Sequence, residues 1–313
     1  MTEELRFGPD GSFKIVQFTD LHWQNGEAED RRTAQLMERI LAEERPDLVV
    51  FTGDIIYSRG CKDPYASVTQ AVSVVARTGT PWAPVFGNHD SEGDVSRARL
   101  METLTAQRGC LGSAGPASVH GVGNYSLAVA GADGTTRHVL YFLDTGSYSE
   151  LAQVPGYDWV REEQIDWFRA QAAAMRPSEA EAPPTSLVFF HIPLPEYREV
   201  WRTQPCDGRK YEDISCPRIN SGLFAALAET GGVLGTFCGH DHINDFEGTL
   251  LGIRLTYGRA TGYHTYGRWG FKRGARVIEL KDEGRRYDTW IRLAGSRKLT
   301  APRTHRPWKW KLF

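Results

Sequence analysis

No run of apolar residues in this chain approaches the roughly 18 consecutive positions of a membrane-spanning helix. The longest, such as Leu187–Phe190, have the length of a strand. Cysteine is scarce and odd in number: Cys61, Cys110, Cys206, Cys216 and Cys238. That argues against a disulfide scaffold and suits a reducing compartment. The first ten residues are polar and acidic, without the basic start and apolar core of a secretory signal. These absences predict a soluble, cytoplasmic protein. Neither sign of charge dominates, with 37 basic and 39 acidic side chains and a formal net charge of -2. The chain as a whole is therefore no polyanion binder, although a local basic patch is compatible with that balance. Internal repeats and low-complexity blocks are missing as well.

The chain has 313 residues, 41% hydrophobic and 24% charged, which is enough for a large core and excludes disorder for its bulk. Length alone suggests two domains. No linker interrupts the pattern, so a single domain over residues 1–296 is expected, followed by a basic tail, 297–313. Phe13–Thr19, Leu48–Thr52 and Trp82–Phe86 read as strands. The stretches Asp30–Glu44 and Ala66–Arg77 between them read as helices, the first with apolar Ala34, Met37, Ile40 and Leu41 at helical spacing and Pro46 as its stop. This β-α-β-α-β order predicts right-handed crossovers and a largely parallel core sheet. Further on, Tyr125–Ala130 and His138–Leu143 suggest a hairpin across Gly131–Gly134, and Trp159–Met175 a helix. Leu187–Phe190 and Val233–Cys238 suggest strands, with a short helix at Asn220–Glu229. Phe246–Thr256, Arg276–Leu280 and Tyr287–Leu293 suggest a closing antiparallel meander.

Polar residues cluster at the ends of the apolar strands. Asp20 and His22 follow the first strand, Gly53-Asp54 the second and Gly87-Asn88-His89-Asp90 the third. His191 ends its strand, and Gly239-His240-Asp241-His242 follows another. Carboxyl ends of strands are where open α/β sheets bind ligands. The set offers carboxylate, amide and imidazole ligands and no thiolate, which excludes a cysteine-based structural zinc site. A single DxH or GNHD arises readily by chance or as a turn. Five such motifs in order, each closing a strand, do not.

This set resembles the calcineurin-like metallophosphoesterase superfamily, whose pattern is DxH, GDxx, GNH(D/E), an isolated His, then GHxH. The resemblance covers roughly residues 13–280. It is most similar to the purple-acid-phosphatase-like subgroup, through GHDHINDF (Gly239–Phe246), the stretch Tyr257–Leu280 and NSGLF (Asn220–Phe224). The resemblance implies a four-layer α/β/β/α sandwich of two mixed sheets flanked by helices, with metals at one edge. It implies two cations about 3.5 Å apart, of Mn or Fe, with Zn also compatible. Asp20, His22, Asp54 and His242 would hold one cation, and Asp54, Asn88, His191 and His240 the other. Asp54 would bridge, holding one metal with each oxygen. His89 would protonate the leaving oxygen, with Asp90 bonded to it to set its tautomer. The implied reaction is direct, in-line hydrolysis of a phosphate ester by a water acidified between the cations, on a phosphorylated small molecule or other phosphoester. Monoester and diester both remain open.

One position departs from the parent patterns. Purple acid phosphatases have DxG in the first motif and GDxxY in the second, whose Tyr binds ferric iron. Other members have DxH and no such Tyr. This chain has His22 and Tyr57 together, so Tyr57 is either a ligand or a pocket residue. Arg97 and His264 are further candidates for touching substrate, with Tyr263, Tyr266 and Trp269 flooring the pocket. The bland readings are a surface arginine, a loop histidine and simple packing. The polar stretch Glu196–Pro217 reads as a long loop able to shape the site, with Cys206 and Cys216 as a candidate redox pair, whereas Cys238 reads as core. The tail's six basic residues interleave with Trp308 and Trp310. That composition can bind nucleic acid or a membrane surface, although packing against the body is favoured. A nuclease or cyclic-nucleotide diesterase with the same site is the rival activity, and a catalytically dead scaffold the rival class.

Overall fold

The computed structural model describes residues 4–176, 183–282, 285–300 and 302–307. Strands β1 (Leu5–Arg6) and β2 (Ser12–Phe18) precede α1 (Ala28–Glu44), β3 (Leu48–Thr52), α2 (Pro64–Ala76), β4 (Trp82–Val85) and α3 (Arg97–Thr105). The hairpin β5 (Tyr125–Ala130) and β6 (Thr136–Phe142) leads to α4 (Glu162–Ala174), β7 (Thr185–Phe189) and α5 (Glu196–Thr203). Then come β8 (Cys206–Asp207), α6 (Leu223–Thr230) and β9 (Val233–Cys238). The closing strands are β10 (Glu247–Leu250), β11 (Ile253–Tyr257), β12 (Gly274–Lys281), β13 (Tyr287–Leu293), β14 (Arg297–Leu299) and β15 (Thr304–His305).

Local chemistry sets several of these boundaries. At the start of α1, Asp30 accepts from the backbone N–H of Glu27 at 2.9 Å, so the helix begins two residues before the periodic pattern does. It ends at Arg45, which adopts a left-handed conformation just ahead of Pro46. Helix α2 opens on Pro64 with the Asp63 carboxylate accepting from the N–H of Tyr65 and Ala66. Every residue of β3 is buried, which explains its unbroken apolar character.

The strands form two mixed sheets. One has six strands in the order β14-β13-β12-β2-β3-β4, the other nine in the order β1-β5-β6-β7-β9-β11-β10-β8-β15. Strands β2, β3 and β4 are parallel neighbours, as the alternating β-α pattern requires. Three apolar layers hold the sandwich together. Between the sheets lie Ile15, Leu48, Val50 and Val85 from one side and Leu140, Phe142, Leu187, Phe189 and Phe237 from the other. Helices α1 to α3 cover the outer face of the six-stranded sheet through Met37, Ile40, Val72 and Leu100. Helices α4 to α6 cover the nine-stranded sheet through Phe168, Tyr197 and Leu227. The four-layer α/β/β/α architecture is thus present.

Three expectations need correction. The closing strands are no single meander: β10 and β11 join the nine-stranded sheet, while β12 and β13 join the six-stranded one. Alternation marks a strand but not its partner, and β11 pairs in parallel with β9. Glu196–Pro217 is not a long open loop, because α5 and β8 lie in it and bury Tyr197, Val200 and Cys206. Cys206 and Cys216 are free thiols within that same core, and burial pushes the Cys206 thiol up to about 12. They form no redox clasp. The described part of the tail packs against the body, with β14 on β13 and β15 on β8. Trp308 and Trp310 lie outside the described residues.

Across the nine-stranded sheet, Phe142, Phe189 and Phe237 stack in sequence, with ring centroids 5.4 and 5.3 Å apart. Phe189→Ala opens a cavity in the layer between the sheets. It should cost about 3–5 kcal/mol, read as a lowered denaturant midpoint with an unchanged slope. An unchanged midpoint would show that this layer collapses around the loss.

Candidate metal centre

The strand ends converge at one edge of the sandwich. The turn after β2 presents Asp20 and His22, the turn after β3 presents Asp54, and the turn after β4 presents Asn88 and His89. From the facing sheet come His191, just past β7, and His240 and His242, just past β9. Two backbone bonds hold the first two turns together: the N–H of Asp20 donates to Gly53 O at 3.1 Å and that of His22 to Asp54 O at 2.9 Å. Asp20, His22, Asp54 and His240 all have positive φ, between 49° and 79°. Short polar side chains tolerate this region better than branched ones, and its cost is of order 1–3 kcal/mol per residue. Glycine is required beside them. A Cβ on Gly53 would sit 2.5 Å from His191 Nδ1 and 2.6 Å from Gly87 N, and one on Gly87 would collide with the Asp54 carboxylate.

Two buried ligand groups result: Asp20, His22, Asp54 and His242, and Asp54, His191 and His240. They share Asp54. Its Oδ1 accepts from His89 N–H at 2.8 Å. Its Oδ2 lies 3.4 Å from His22 Nε2 and 3.2 Å from His191 Nε2, without hydrogen-bond geometry. One oxygen therefore faces both groups, where one oxygen per metal was expected. Asn88 joins the second group's surroundings, its Nδ2 donating to Tyr148 Oη at 3.0 Å. Its Oδ1 is buried without a partner, as are Asp54 Oδ2, His22 Nε2, His240 Nε2 and His242 Nδ1. Buried polar atoms are normally paired, so this concentration of orphans in a carboxylate–imidazole set fits a place for cations.

The charges agree with that fit. Burial alone would raise Asp20, but the hydrogen bond and charge of His242 hold it down at about 2. Asp54 is likewise held well below the usual range, burial being outweighed by His191 and His22. Burial would lower His191, yet Asp54 pushes it up to about 9, while burial and the His191 charge push His240 down to about 3. A proton on His191 thus compensates Asp54, and a cation would replace it. His191 Nδ1 bonds Thr52 O at 2.8 Å, which turns Nε2 toward Asp54.

His89 stands apart from the ligand groups. Its side chain is 28% exposed, and its ring centroid lies 5.0 Å from that of His22. Asp90 does not touch it. The Asp90 carboxylate accepts from Ile56 N–H at 2.9 Å and Gly87 N–H at 2.7 Å, fastening the third turn to the second. Burial and the Asp54 charge push Asp90 up to about 7. The carboxylate beside His89 is Glu92, whose Oε2 lies 3.2 Å from Nδ1. Glu92 is itself 3.3 Å from Arg59 Nε through its other oxygen. Sequence reasoning passed over Glu92, although its position three residues after His89 was a visible signal.

Other candidates fall elsewhere. Arg97 is turned inward, ion-paired with Asp144 and donating to Gly87 O and Gly146 O, so it braces the third turn and is not free for substrate. His264 is held between Gln24 at 3.2 Å and Asp30 at 3.3 Å, a contact that locks the rim to α1. Tyr57 packs its ring against His22 and His89, at 6.1 and 5.4 Å. Tyr266 lies 4.3 Å from the His242 ring and donates to Glu212 Oε2 at 2.5 Å. Tyr263 packs against the α1 side, its ring under the Arg32 guanidinium, and Trp269 is fully exposed. Tyr148 and Tyr157, neither visible as site residues in the sequence, line the other side, Tyr157 edge-on to His240 at 4.3 Å.

Residues 13–244 match the family described as Calcineurin-like phosphoesterase. The chain belongs to that family. Among relatives of this calcineurin-like chain, "Probable inactive purple acid phosphatase 29" of Arabidopsis thaliana is 36% identical, over 92% of this chain and 81% of its own length. "Phosphatase DCR2" of Saccharomyces cerevisiae is 34% identical, over 95% of this chain and 56% of its own. A dimetal phosphatase from Danio rerio has the same fold, with a TM-score of 0.59 at 14% identity, covering 93% of this chain and 98% of that one. So does a purple acid phosphatase from yellow lupin seeds, with a TM-score of 0.58 at 13% identity, covering 96% and 55%. Purple-acid-phosphatase-like kinship is therefore supported by sequence and the fold by structure.

Asp54→Asn weakens the one oxygen common to both groups. Metal analysis after reloading should show clearly less bound cation than in the parent chain. Full, tight occupancy in this variant would defeat the shared-ligand assignment.

Proposed function

We propose that the chain hydrolyses phosphate esters at a dinuclear metal site, with His89 as general acid. The observation that carries this reading is the pair of buried ligand groups meeting at Asp54 Oδ2, with a partly exposed histidine beside them. Asp20, His22, Asp54 and His242 would hold one cation and Asp54, Asn88, His191 and His240 the other. Two such cations would bind the anionic ester, lower the pKa of a water between them and offset charge on the departing oxygen. The donor set of carboxylate, amide and imidazole suits Mn or Fe, with Zn compatible.

The chain's own residues supply the rest. His89 is neither buried nor a member of a ligand group, so its imidazole is available to deliver a proton to the leaving oxygen. Glu92 at Nδ1 orients the ring, the task expected of Asp90. Asp54 Oδ1 holds the His89 backbone, so the general acid and the metal set are positioned by one carboxylate. Tyr57, Tyr148, Tyr157 and Tyr266 wall the site with rings. We take Tyr57 as a wall of this pocket, because His22 already fills the first group.

The names of the plant and yeast relatives favour phosphatase chemistry, and hence a monoester. The plant name also includes "inactive", the scaffold reading. Against it, this chain has His89 and both ligand groups complete. Five free cysteines fit a reducing, cytoplasmic setting. Among the described residues no helix is long and apolar enough to cross a membrane.

The decisive assay offers the Mn²⁺-reloaded protein p-nitrophenyl phosphate and bis-p-nitrophenyl phosphate under matched conditions. A higher kcat/KM for the monoester is expected. A higher value for the diester would move the substrate class to nucleotide or lipid diesters, and no turnover of either by fully loaded protein would favour the scaffold. His89→Asn should keep both metals and lose about 10²–10⁴ in kcat, less for good leaving groups. An equal loss across leaving groups would remove His89 from the acid role. Glu92→Gln should lower kcat while leaving KM and metal content near those of the parent, because the His89 ring loses the carboxylate at Nδ1, and Glu92→Asp should restore part of the loss. An unchanged kcat would remove Glu92 from the positioning role.

A further inference from the structure

On the nine-stranded sheet's far edge, two adjoining cavities open between α5, the 208–214 segment and the C-terminal strand β15. The larger has a volume of about 700 Å³ and is lined by Arg198, Arg202 and Lys210 among others; the smaller, of about 420 Å³, adds Arg209, Arg303 and Arg306. Six cations thus line two adjoining cavities in a chain whose formal net charge is only -2. Among the described residues the one carboxylate lining either cavity is Asp213, fully exposed and 3.3 Å from Lys210 Nζ. Concentrating like charge in a concave surface raises the local positive potential and attracts an anion. No residue of either cavity belongs to the metal ligand groups.

We infer that these cavities form a second, non-catalytic site for a small, multiply charged phosphate-bearing anion. The wall is built to hold its shape. Arg198 is anchored by two hydrogen bonds to Ile214 O, at 3.1 and 2.8 Å, leaving its guanidinium fixed at the cavity edge. Strand β15 is tied to β8, and its His305 stacks on Trp201 with centroids 3.9 Å apart and bonds Trp201 O at 3.0 Å. The space matches the few hundred Å³ of ordinary small-molecule sites. Several guanidinium groups suit phosphate oxygens, which they bind through paired N–H donors. Trp201 is not free to stack on a base. His305 covers one face of the Trp201 ring and Phe246 lies 4.8 Å from it in a tilted contact. We take the cations of the wall as what recognises the ligand, through its phosphates.

The test is calorimetric titration of the full-length, metal-reloaded protein with inorganic tripolyphosphate, beside three variants. The parent should bind tripolyphosphate in two places, the metal site and these cavities, and Asp54→Asn should keep the second, whereas an Arg202→Glu/Arg303→Glu double variant should bind there about tenfold more weakly or worse, having lost two charge-assisted contacts. Both arginines are exposed, so the fold should survive, which an unchanged Tm checks. If it does not, Lys210→Gln/Arg306→Gln repeats the test with smaller changes. Binding that disappears in Asp54→Asn would place the anion on the metal site and overturn the inference, as would binding untouched by the arginine variants. ATP should bind no more tightly than tripolyphosphate; a clear gain from the base would refute phosphate-only recognition. Much tighter binding of a short single-stranded DNA would instead make this face a nucleic-acid surface.

Discussion

One oxygen atom sets the geometry of the functional edge. Asp54 Oδ2 lies within reach of histidines from both sheets, and its partner Oδ1 is occupied by the His89 backbone. That carboxylate has to be buried, ionised and pointed at a gap. Burial opposes ionisation, and only neighbouring imidazoles or cations reverse the balance. The positive φ at Asp54, the bare glycine before it and the bare Gly87 opposite all serve this placement. The apolar strands behind it are conventional by comparison. They supply a rigid frame from which polar turns project.

A second ring of carboxylates keeps those turns in place. Asp90 joins the turns after β3 and β4, Asp144 grips Arg97, and Asp245 pairs with Arg259. Asp241 accepts from Tyr257 Oη at 2.5 Å and from Ser215 N–H, and burial pushes it up to about 6. Each extends the hold between segments past the point where the strand ladders end. Strained backbone at the ligands persists only where the surroundings over-determine it, and these buried pairs do so.

The sequence made the frame legible because burial leaves a periodic trace. Leu48–Thr52 is apolar throughout since both faces are covered, and Met37, Ile40 and Leu41 recur at helical spacing because α1 buries one stripe. The seven residues expected to hold metal stood out for a different reason: each stands at a strand end, where periodicity stops. What remained hidden depends on turn geometry. Asp90 and Glu92 are both acids just past His89, and only the path of the turn decides that the nearer one bonds backbone while the farther one meets the ring. Arg97 sits where an arginine could reach outward, but Asp144, far along the chain, draws it in. Tyr148 and Tyr157 come from an irregular segment with no pattern to mark them. The split of the last strands between two sheets was equally invisible, as alternation is the same for either partner.

The ligand set is divided between the layers: Asp20, His22, Asp54 and Asn88 ride on the six-stranded sheet, His191, His240 and His242 on the nine-stranded one. The spacing of the two groups is therefore a measure of how the sheets are seated on each other, like the jaws of a caliper. The phenylalanines between the sheets, remote from any polar chemistry, act as the caliper's spacer. Thickness and slip in that apolar layer would be felt as ångströms at this edge, so the spacing of the two candidate groups rests on the volume of side chains that touch neither of them.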